Sequence, residues 1–309
     1  MKRICALGTL VMVGTLTMAA GAMQQPPPAP APSVENITVE KVKDNLFVMR
    51  GGGGNSAVFV TANGVTLVDT KNPGWGQPLL DKIKTVTDKP VTTVINTHTH
   101  YDHVSGNVAL PATVEIIAHE NTARLMTQMN PVAGIGTTPN VFKDNPGKGM
   151  PKRTFKDKLT IGKGADRINL YYFGPAHTGG DAFVEFPAHR IMHVGDTFPN
   201  KGLPIMDKNN GGSGVEYANT VMKAVNGVKN VDAIINGHTP AQTTPAEMRQ
   251  FAEFVREFVA TVQAGKKAGK TVDEVAKAWV TPAKYTGFSA APPIERVRAY
   301  VQVVFDETK

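Results

Sequence analysis

Three of the eight histidines in the chain fall within six residues of one another. The segment places imidazoles at His98, His100 and His103 and a carboxylate at Asp102. In an extended backbone, residues two apart project to the same side, so His98 and His100 can converge on one ion. Asp102 and His103 then lie in the turn beyond a strand, where the chain can direct them toward a second ion. Imidazole and carboxylate are the ligands of borderline-soft divalent ions, so this cluster predicts metal binding rather than a polar loop with chance histidines.

Three further candidate ligands each follow a predicted strand. They are His177, Asp196 and His238, and each is preceded by a short segment that contains glycine. In an open α/β architecture the strand ends meet in one crevice, so residues far apart in sequence become neighbours. Together with the first cluster, they predict one site of five histidines and two aspartates.

Alternating strand and helix patterns must position these side chains. Runs rich in Val, Phe and Thr at 37–50 and 56–69 predict strands and hairpins, with turns between them. Further strands are predicted at 91–96, 114–118, 167–173, 182–186, 191–194 and 233–236, and helices at 78–86, 122–129, 216–225, 245–264, 272–279 and 294–305. This order predicts an α/β (α+β) fold in which the C-terminal helices cover a sheet face.

The segments THTHYDH, GPAHT, VGDTF and NGHT occur in this order and resemble the metallo-β-lactamase fold superfamily. The resemblance covers roughly residues 36–239 and implies a four-layer αβ/βα sandwich with metals at one edge of the two sheets. It implies two Zn2+ ions, with another divalent transition metal as the alternative. It assigns His98, His100 and His177 to one ion, Asp102, His103 and His238 to the other, and Asp196 to both as a bridge.

The sequence departs from the β-lactamases at two positions. Asp196 stands where the cysteine-containing β-lactamases have a thiolate ligand, a pattern closer to glyoxalase II and the acyl-homoserine lactonases. Those β-lactamases also have a substrate-binding lysine three residues after this ligand, where this chain has Pro199. Lys201 comes two residues later, and the sequence leaves its role open. The amino-acid sequence around His177 nonetheless resembles that of a β-lactamase more than that of a thioesterase.

The predicted function is a zinc-dependent hydrolase of a small molecule that carries a lactam, lactone or ester carbonyl. Two ions would hold a bridging hydroxide and polarise the carbonyl, and Asp102 would orient the hydroxide and accept a proton. A thioesterase of the glyoxalase II type is an alternative. A di-iron redox enzyme of the same fold is another, since carboxylate bridging suits iron as well as zinc. A non-catalytic metal-binding protein is less favoured, because structural zinc sites are usually rich in thiolates.

Other polar or flexible segments are expected to support the site. Asp69 is expected to tie down the adjacent loop by hydrogen bonds. Gly51–Gly54 is expected to form a flexible hairpin or flap over the site, and the Gly- and Pro-rich segment 134–151 a long binding loop. Tyr101 either contacts substrate or packs beside the metals. The histidines outside the ligand set are expected to be structural or solvated: His119, His189 and His193.

The N-terminal residues predict export. Residues 1–22 contain Lys2 and Arg3, an apolar stretch and the small residues Ala20–Ala22, which together are typical of a secretory signal peptide. A transmembrane anchor is the alternative, but the apolar stretch is short for a bilayer span. Residues 23–35 then form a Pro/Ala-rich linker and 36–309 the hydrolase domain. The protein is expected to be periplasmic or secreted, without stable membrane insertion after cleavage, and without a thiol because Cys5 leaves with the signal.

The charge pattern argues against nucleic acid as a partner. The formal net charge is +7, and without Lys2 and Arg3 it would be +5. The remaining basic residues are mixed with acidic ones and form no basic block with interleaved aromatics. The sequence leaves the oligomeric state open.

Signal cleavage gives the first testable prediction. Because the small residues end at Ala22, the exported form should begin near Met23. Mass analysis of the intact protein from the periplasm checks this, with cytoplasmic protein as the control. Periplasmic material that retains Met1 would contradict the prediction.

Overall fold

The structure, a computed structural model, describes residues 30–309. The expected signal peptide and the start of the linker lie outside the described residues. This part of the chain contains twelve strands, connected by hairpins and crossovers: β1 Thr38–Lys43, β2 Leu46–Arg50, β3 Ser56–Thr61, β4 Gly64–Val68, β5 Val91–Asn96, β6 Glu115–His119, β7 Arg153–Phe155, β8 Lys158–Ile161, β9 Ile168–Tyr171, β10 Phe183–Phe186, β11 Ile191–His193 and β12 Ala233–Ile235.

Helices connect or follow these strands, and their apolar faces are buried. The described residues contain eight α-helices: α1 Gly76–Ile83, α2 Tyr101–Val104, α3 Glu120–Met126, α4 Val141–Asp144, α5 Gly214–Gly227, α6 Pro245–Lys267, α7 Val272–Ala278 and α8 Ile294–Glu307. Both α6 and α7 begin with a Thr/Glu capping box, at Thr244 and Thr271. These caps satisfy backbone N–H groups that would otherwise lack partners. None of the helices in residues 30–309 is long and apolar enough to cross a membrane.

Most of the predicted elements are present, with differences at their ends and edges. The predicted strand region 37–50 is a hairpin, because Asp44 and Asn45 form a turn between β1 and β2. Strands β7 and β8 were not predicted from the sequence. Both are short, and their residues are mostly exposed or half-buried, so they have little of the apolar pattern that identifies a strand. The segment 134–151 is not entirely irregular, since it contains α4.

Two sheets organise the molecule. The first has seven strands in the order β1-β2-β3-β4-β5-β6-β7, antiparallel up to β4 and parallel from β4 to β7. The second has five strands in the order β12-β11-β10-β9-β8, of which only β11 and β12 are parallel. Three of the parallel strands, β5, β11 and β12, lead into loops that carry predicted ligands, whereas His177 follows the antiparallel strand β9.

Three apolar clusters give the fold its layers. The first cluster fills the space between the two sheets and contains buried residues of both, including Phe59, Ile95 and Val184. Helix α1 packs on the outer face of the first sheet through Leu79, while α5, α6 and α8 cover the outer face of the second. This is the four-layer αβ/βα sandwich that the sequence predicts.

The inter-sheet layer yields a stability prediction. Phe59 is fully buried, and its ring packs edge-on against Phe186 of the second sheet, with 5.2 Å between ring centroids. Phe59→Ala should lower the free energy of unfolding by ~3–5 kcal/mol, because it removes buried area and leaves a cavity between the sheets. Urea unfolding at a fixed zinc concentration measures the change.

The control is Val280→Ala, at a position that is 73% exposed. A surface truncation of this kind should change the free energy of unfolding by less than about 0.5 kcal/mol. Equal effects of the two substitutions would contradict the packing described for Phe59.

Candidate metal centre

Four of the predicted ligands lie directly after β5 of the first sheet. His98 and His100 are in the loop that leaves this strand, and the ring centroids of the two side chains are 4.8 Å apart. Asp102 and His103 lie on α2, a single helical turn, rather than in a plain turn. Because α2 begins at Tyr101, the helical turn rotates His103 back toward His98, and their ring centroids are 4.2 Å apart.

The second sheet supplies the other three ligands. His177 follows β9, Asp196 follows β11 and His238 follows β12. The structure brings them against the first four, so that donor atoms from distant segments lie within 4.8 Å of one another. One group consists of His98, His100, His177 and Asp196, and a second of Asp102, His103 and His238. These two groups correspond to the sets that the resemblance implies, and a third group joins His98 and His103 with Asp69.

Asp196 reaches both groups. Its Oδ2 lies 3.6 Å from His177 Nε2 and 3.2 Å from His238 Nε2, while its Oδ1 lies 3.3 Å from His103 Nε2. This close approach requires glycine at Gly237, where a Cβ would lie 1.7 Å from Asp196 Oδ1. The carboxylate is therefore placed to share its two oxygens between two cations.

Hydrogen bonds fix which nitrogen of each imidazole faces the centre. His100 donates from Nε2 to Asp207 (2.8 Å), and His177 donates from Nδ1 to the carbonyl of Ile205 (2.9 Å). His98 Nδ1 lies 3.0 Å from Thr97 Oγ1, whose own proton goes to Asp69. Each ring thus donates outward and turns a lone pair inward, which is the arrangement of metal-binding histidines.

The inward-facing nitrogens need a cation between them. His100 Nδ1 and His177 Nε2 are 2.9 Å apart, and His98 Nε2 is buried without a hydrogen-bond partner among the described residues. Burial holds the pKa of His98 well below its ordinary value and lowers that of His177 to about 4. Protons therefore bind these nitrogens weakly and do not replace a metal cation between them. The donor set therefore fits a divalent metal ion.

The second group also attracts positive charge. The carboxylate of Asp196 raises the pKa of His238 to about 10. Burial alone would lower the pKa of His103, but the carboxylates of Asp196, Asp102 and Asp69 outweigh it and raise the pKa well above its usual range. A field that binds a proton this firmly also favours a metal cation in its place.

Asp69 ties the ligand loop to the sheet, as the sequence predicts. One oxygen accepts the backbone N–H of Thr97 (2.8 Å), and the other accepts the Thr97 hydroxyl (2.6 Å) and His103 Nδ1 (2.7 Å). Asp69 also has a positive φ of 60°, a strained conformation for a residue other than glycine. One buried carboxylate thus orients ligands of both groups.

Asp207 is a supporting residue that sequence reasoning missed. It is fully buried, accepts His100 Nε2 at Oδ2, and accepts the backbone N–H of Ala133 at Oδ1 (3.0 Å). It lies in an irregular segment rich in Gly, Asn and Lys, where no periodic pattern marks it. The only signal in the sequence was a lone acidic residue in a segment with no predicted structure.

The glycine run Gly51–Gly54 lies in the connection between the antiparallel strands β2 and β3, so the predicted hairpin is present, but the run packs against the ligands and is not a flap. Gly54 donates its N–H to the carbonyl of Asp102 (3.0 Å), and a Cβ at Gly54 would lie 2.2 Å from His103 Cε1. The buried Lys71 donates to the carbonyls of Gly54 (2.7 Å) and Met49 (2.9 Å), and burial lowers its pKa to about 7. The backbone of the run packs directly against the ligands, at a position where a larger residue than glycine would collide with His103.

The three histidines outside the ligand set lie apart from the inward-facing donors. His119 stacks on Tyr172 with 4.0 Å between ring centroids and bonds to the carbonyl of Lys156. His193 is buried, bonds to the carbonyl of Asn55 and accepts the N–H of Gly195. His189 lies in a short turn and packs edge-on against Phe59. All three therefore have structural contacts. Tyr101 packs partly against the cluster around Val104.

A cavity of 270 Å³ opens onto the ligands. It is lined by His177, Asp196 and His238, by the loop 199–205, and by residues of 289–300 from the C-terminal part of the chain. Lys201 does not line it, because its Nζ is bound to Glu247 at 2.7 Å. A larger groove of 680 Å³ beside Phe173 contains none of the predicted ligands. The smaller cavity is therefore the candidate substrate site.

A family model described as the metallo-beta-lactamase superfamily matches residues 49–240, well over half of the chain. The chain belongs to this superfamily. The matched residues include all seven predicted ligands and exclude α6, α7 and α8.

Relatives within this metallo-beta-lactamase superfamily differ in activity. The chain is 27% identical over 221 residues to the metallo-beta-lactamase type 2 of Elizabethkingia meningoseptica, covering 65% of this chain and 78% of that protein. It is 24% identical over 158 residues to a hydroxyacylglutathione hydrolase of Crocosphaera subtropica, covering 51% of this chain and 49% of that protein. The chain thus spans about half the length of the second relative, and neither identity determines its substrate.

Solved structures agree on the fold. A metallo-beta-lactamase from Pontibacter korlensis superposes with a TM-score of 0.59 at 18% identity, covering 71% of this chain and 99% of that chain. At this identity the likeness concerns the fold alone. The His/Asp cluster and the superfamily together support divalent metal binding by this chain.

The contact between Asp207 and His100 gives a metal-affinity prediction. Asp207→Asn keeps the shape but removes the charge that supports His100 as a ligand, so the affinity of the first group for zinc should fall about 10- to 100-fold. Competition with a chromophoric chelator measures this affinity. The control is Asp306→Asn, which removes an exposed carboxylate paired with Lys208 on the surface. An unchanged zinc affinity in Asp207→Asn would show that the contact does not support the site.

Proposed function

We propose that the chain is a zinc-dependent hydrolase that cleaves a lactam, lactone or ester of a small molecule with two metal ions. The observation that carries the proposal is the convergence of the imidazole nitrogens of His98, His100 and His177, next to a carboxylate, Asp196, that reaches both ligand groups. His98, His100, His177 and Asp196 would hold one ion, and Asp102, His103, His238 and the same Asp196 the other. When bound, the ions supply Lewis acidity toward a carbonyl and acidify a water molecule.

Asp102 is the proposed proton acceptor. Its Oδ2 lies 3.2 Å from His238 Nε2 and 3.5 Å from His103 Nε2. Burial alone would raise the pKa of Asp102, but the neighbouring His103 and His238 lower it to about 2, so the group is a carboxylate at neutral pH. A carboxylate beside the attacking water can orient it and accept its proton.

The arrangement favours an enzyme over a structural metal site. Structural zinc sites are closed and usually rich in thiolates, whereas these ligands contain no sulfur and border an open cavity. A thioesterase of the glyoxalase II type remains the alternative hydrolase, supported by the likeness to a hydroxyacylglutathione hydrolase. The proposed partner is a small-molecule substrate and not nucleic acid, and the proposed location is the periplasm or the exterior of the cell.

A panel of substrates separates these hydrolase classes. The zinc-loaded protein should hydrolyse a cephalosporin or an acyl-homoserine lactone, with acyl-glutathione and a phosphodiester as the competing chemistries. Turnover of acyl-glutathione alone would replace the proposal with its thioesterase alternative. Absence of turnover on all four compounds, in protein that contains zinc, would contradict a carbonyl hydrolase of these classes.

Asp196 gives the sharpest test of the two-metal proposal. Asp196→Asn keeps the shape but removes the charge that offsets repulsion between two cations, so the second ion should bind far more weakly. The variant should retain close to one ion and a native circular dichroism spectrum, because six ligands and a large core remain. It should lose most hydrolytic activity, by about 100-fold or more, since the proposed chemistry depends on both ions.

The matched control is Asp232→Asn. This carboxylate is exposed and pairs with Arg190 at 2.5 Å, far from the ligands in the fold. It should retain two ions and normal turnover. If Asp196→Asn also kept two ions and wild-type turnover, the bridging role would be wrong.

A further inference from the structure

Lys71 is a buried cation that the proposed metal chemistry does not use. Its side chain is fully buried, and it is among the largest side chains of residues 30–309 with no exposure. Lys71 belongs to none of the ligand groups and does not line the 270 Å³ cavity. A buried ammonium lowers stability unless its N–H groups are hydrogen-bonded. Contact with a metal or a substrate therefore does not explain why this position holds a lysine.

The backbone at Lys71 has an unfavourable conformation. Its φ of 76° lies in the left-handed region, which residues other than glycine seldom adopt. Two hydrogen bonds to the segment that contains His103 hold it there. Thr70 donates its N–H to the carbonyl of His103 (2.7 Å), and Gly106 donates its N–H to the carbonyl of Lys71 (3.2 Å). Strained residues held in this way cluster at functional sites, so the backbone of Lys71 belongs to the support of the ligand segment.

The ammonium of Lys71 binds backbone carbonyls. Its Nζ donates to Met49 (2.9 Å), near the end of β2, and to Gly54 (2.7 Å), the last residue of the glycine run. Neither bond goes to a carboxylate, whereas buried charges are usually paired with an opposite charge. The side chain therefore acts on the connection between β2 and β3 and not within an ion pair.

The peptide unit between Gly54 and Asn55 is held from both sides. Its carbonyl accepts Lys71 Nζ, and its N–H points the opposite way, as in any trans peptide. That N–H donates to the carbonyl of Gly237 (2.7 Å), while the N–H of Gly54 itself donates to the carbonyl of Asp102 (3.0 Å). One short stretch of backbone thus joins the ligand segment after β5 to the ligand segment after β12.

The glycines of this stretch need a restraint from outside. Only glycine fits at Gly54, because a Cβ would lie 2.2 Å from His103 Cε1, and a Cβ at Gly53 would lie 2.6 Å from the carbonyl oxygen of Asp102. Glycine has many accessible backbone conformations, so the residues that make room for the ligands also leave the peptide free to rotate. The two carbonyl bonds of Lys71 remove that freedom.

We propose that Lys71 is a positioning residue for the second ligand group, Asp102, His103 and His238. By fixing the Gly54–Asn55 peptide unit, it sets the distance between His238 and the segment that carries the other two ligands of this group. The inference rests on the proposed function for the presence of an ion between these side chains.

Selective loss of one ion tests the proposal. Lys71→Met keeps most of the side-chain volume but removes both hydrogen bonds, so the affinity of the second group for cobalt(II) should fall about 10- to 100-fold. The first group is supported by Asp207, and its affinity should change by less than about threefold. Stepwise titration of the metal-free protein, followed by the visible absorption of bound cobalt(II), measures both affinities. Lys71→Arg keeps donors at this position and should recover part of the loss.

Two other variants serve as controls. Lys266 also donates to two backbone carbonyls, those of Phe305 (2.6 Å) and Thr308, but at the C-terminal end of α8. Lys266→Met should leave both cobalt(II) affinities unchanged while it lowers the free energy of unfolding. Asp207→Asn should give the reciprocal pattern, with its loss at the first group, and so identifies which absorption band belongs to which ion.

A purely structural role of Lys71 gives a different result. It predicts that Lys71→Met lowers the free energy of unfolding of the metal-free protein and leaves both affinities unchanged, and this outcome would overturn the proposal. Equal loss at both groups would overturn it as well. If Lys71→Met does not fold, Lys71→Gln replaces it, because Gln keeps a donor of shorter reach. Lys71→Gln should weaken the second ion about threefold or more, and an unchanged second ion would contradict the positioning role.

The outcomes separate this inference from the proposed function, because metal affinity is measured without turnover. If no panel compound is hydrolysed but Lys71→Met weakens the second ion alone, the proposed function fails and the role of Lys71 stands. Hydrolysis by wild-type protein, with a second ion that Lys71→Met does not affect, would overturn the role of Lys71 and leave the proposed function intact. Wild-type protein that binds a single ion would overturn both.

Discussion

Imidazoles from two different sheets face each other at the edge of the sandwich, with His100 Nδ1 and His177 Nε2 2.9 Å apart. Both rings donate their other N–H outward, so the facing atoms carry lone pairs that repel unless a cation lies between them. The two sheets position these imidazoles: β5 of the first sheet ends just before His98 and His100, and strands of the second sheet end at the same edge of the sandwich. Because a metal would join the two halves of the molecule, its binding free energy also stabilises the fold.

Bringing these ligands together requires buried charge around them. Asp69 and Asp207 are fully buried carboxylates, and each orients an imidazole while it also fastens a backbone N–H of a loop. Lys71 is buried as well, and its burial lowers its pKa to about 7. Such groups destabilise a core unless they are fully hydrogen-bonded, and their concentration here is typical of a functional site. The large apolar core behind α5, α6 and α8 offsets this destabilisation.

The sequence predicted the layers and brought the seven ligand candidates together, because strand ends and short motifs carry strong local signals. It did not predict β7 and β8, whose residues are mostly exposed at a sheet edge. It placed a flexible hairpin or flap at the glycine run; the hairpin is present, but Gly54 packs against His103, where only glycine fits. Asp207 was missed for a related reason: it acts through a tertiary contact with His100 and does not lie in a motif. The secretion signal lies outside the described residues and remains a prediction.

The central claim is that the seven side chains form one site for two cations. Native mass spectrometry of the protein produced in zinc-replete medium tests it most directly, with elemental analysis as the second readout and chelator-treated protein as the control. The account predicts about two zinc ions per chain, both removed by the chelator and both restored by added zinc, because seven ligands exceed what one tetrahedral ion can use. One ion or none per chain under these conditions would contradict it.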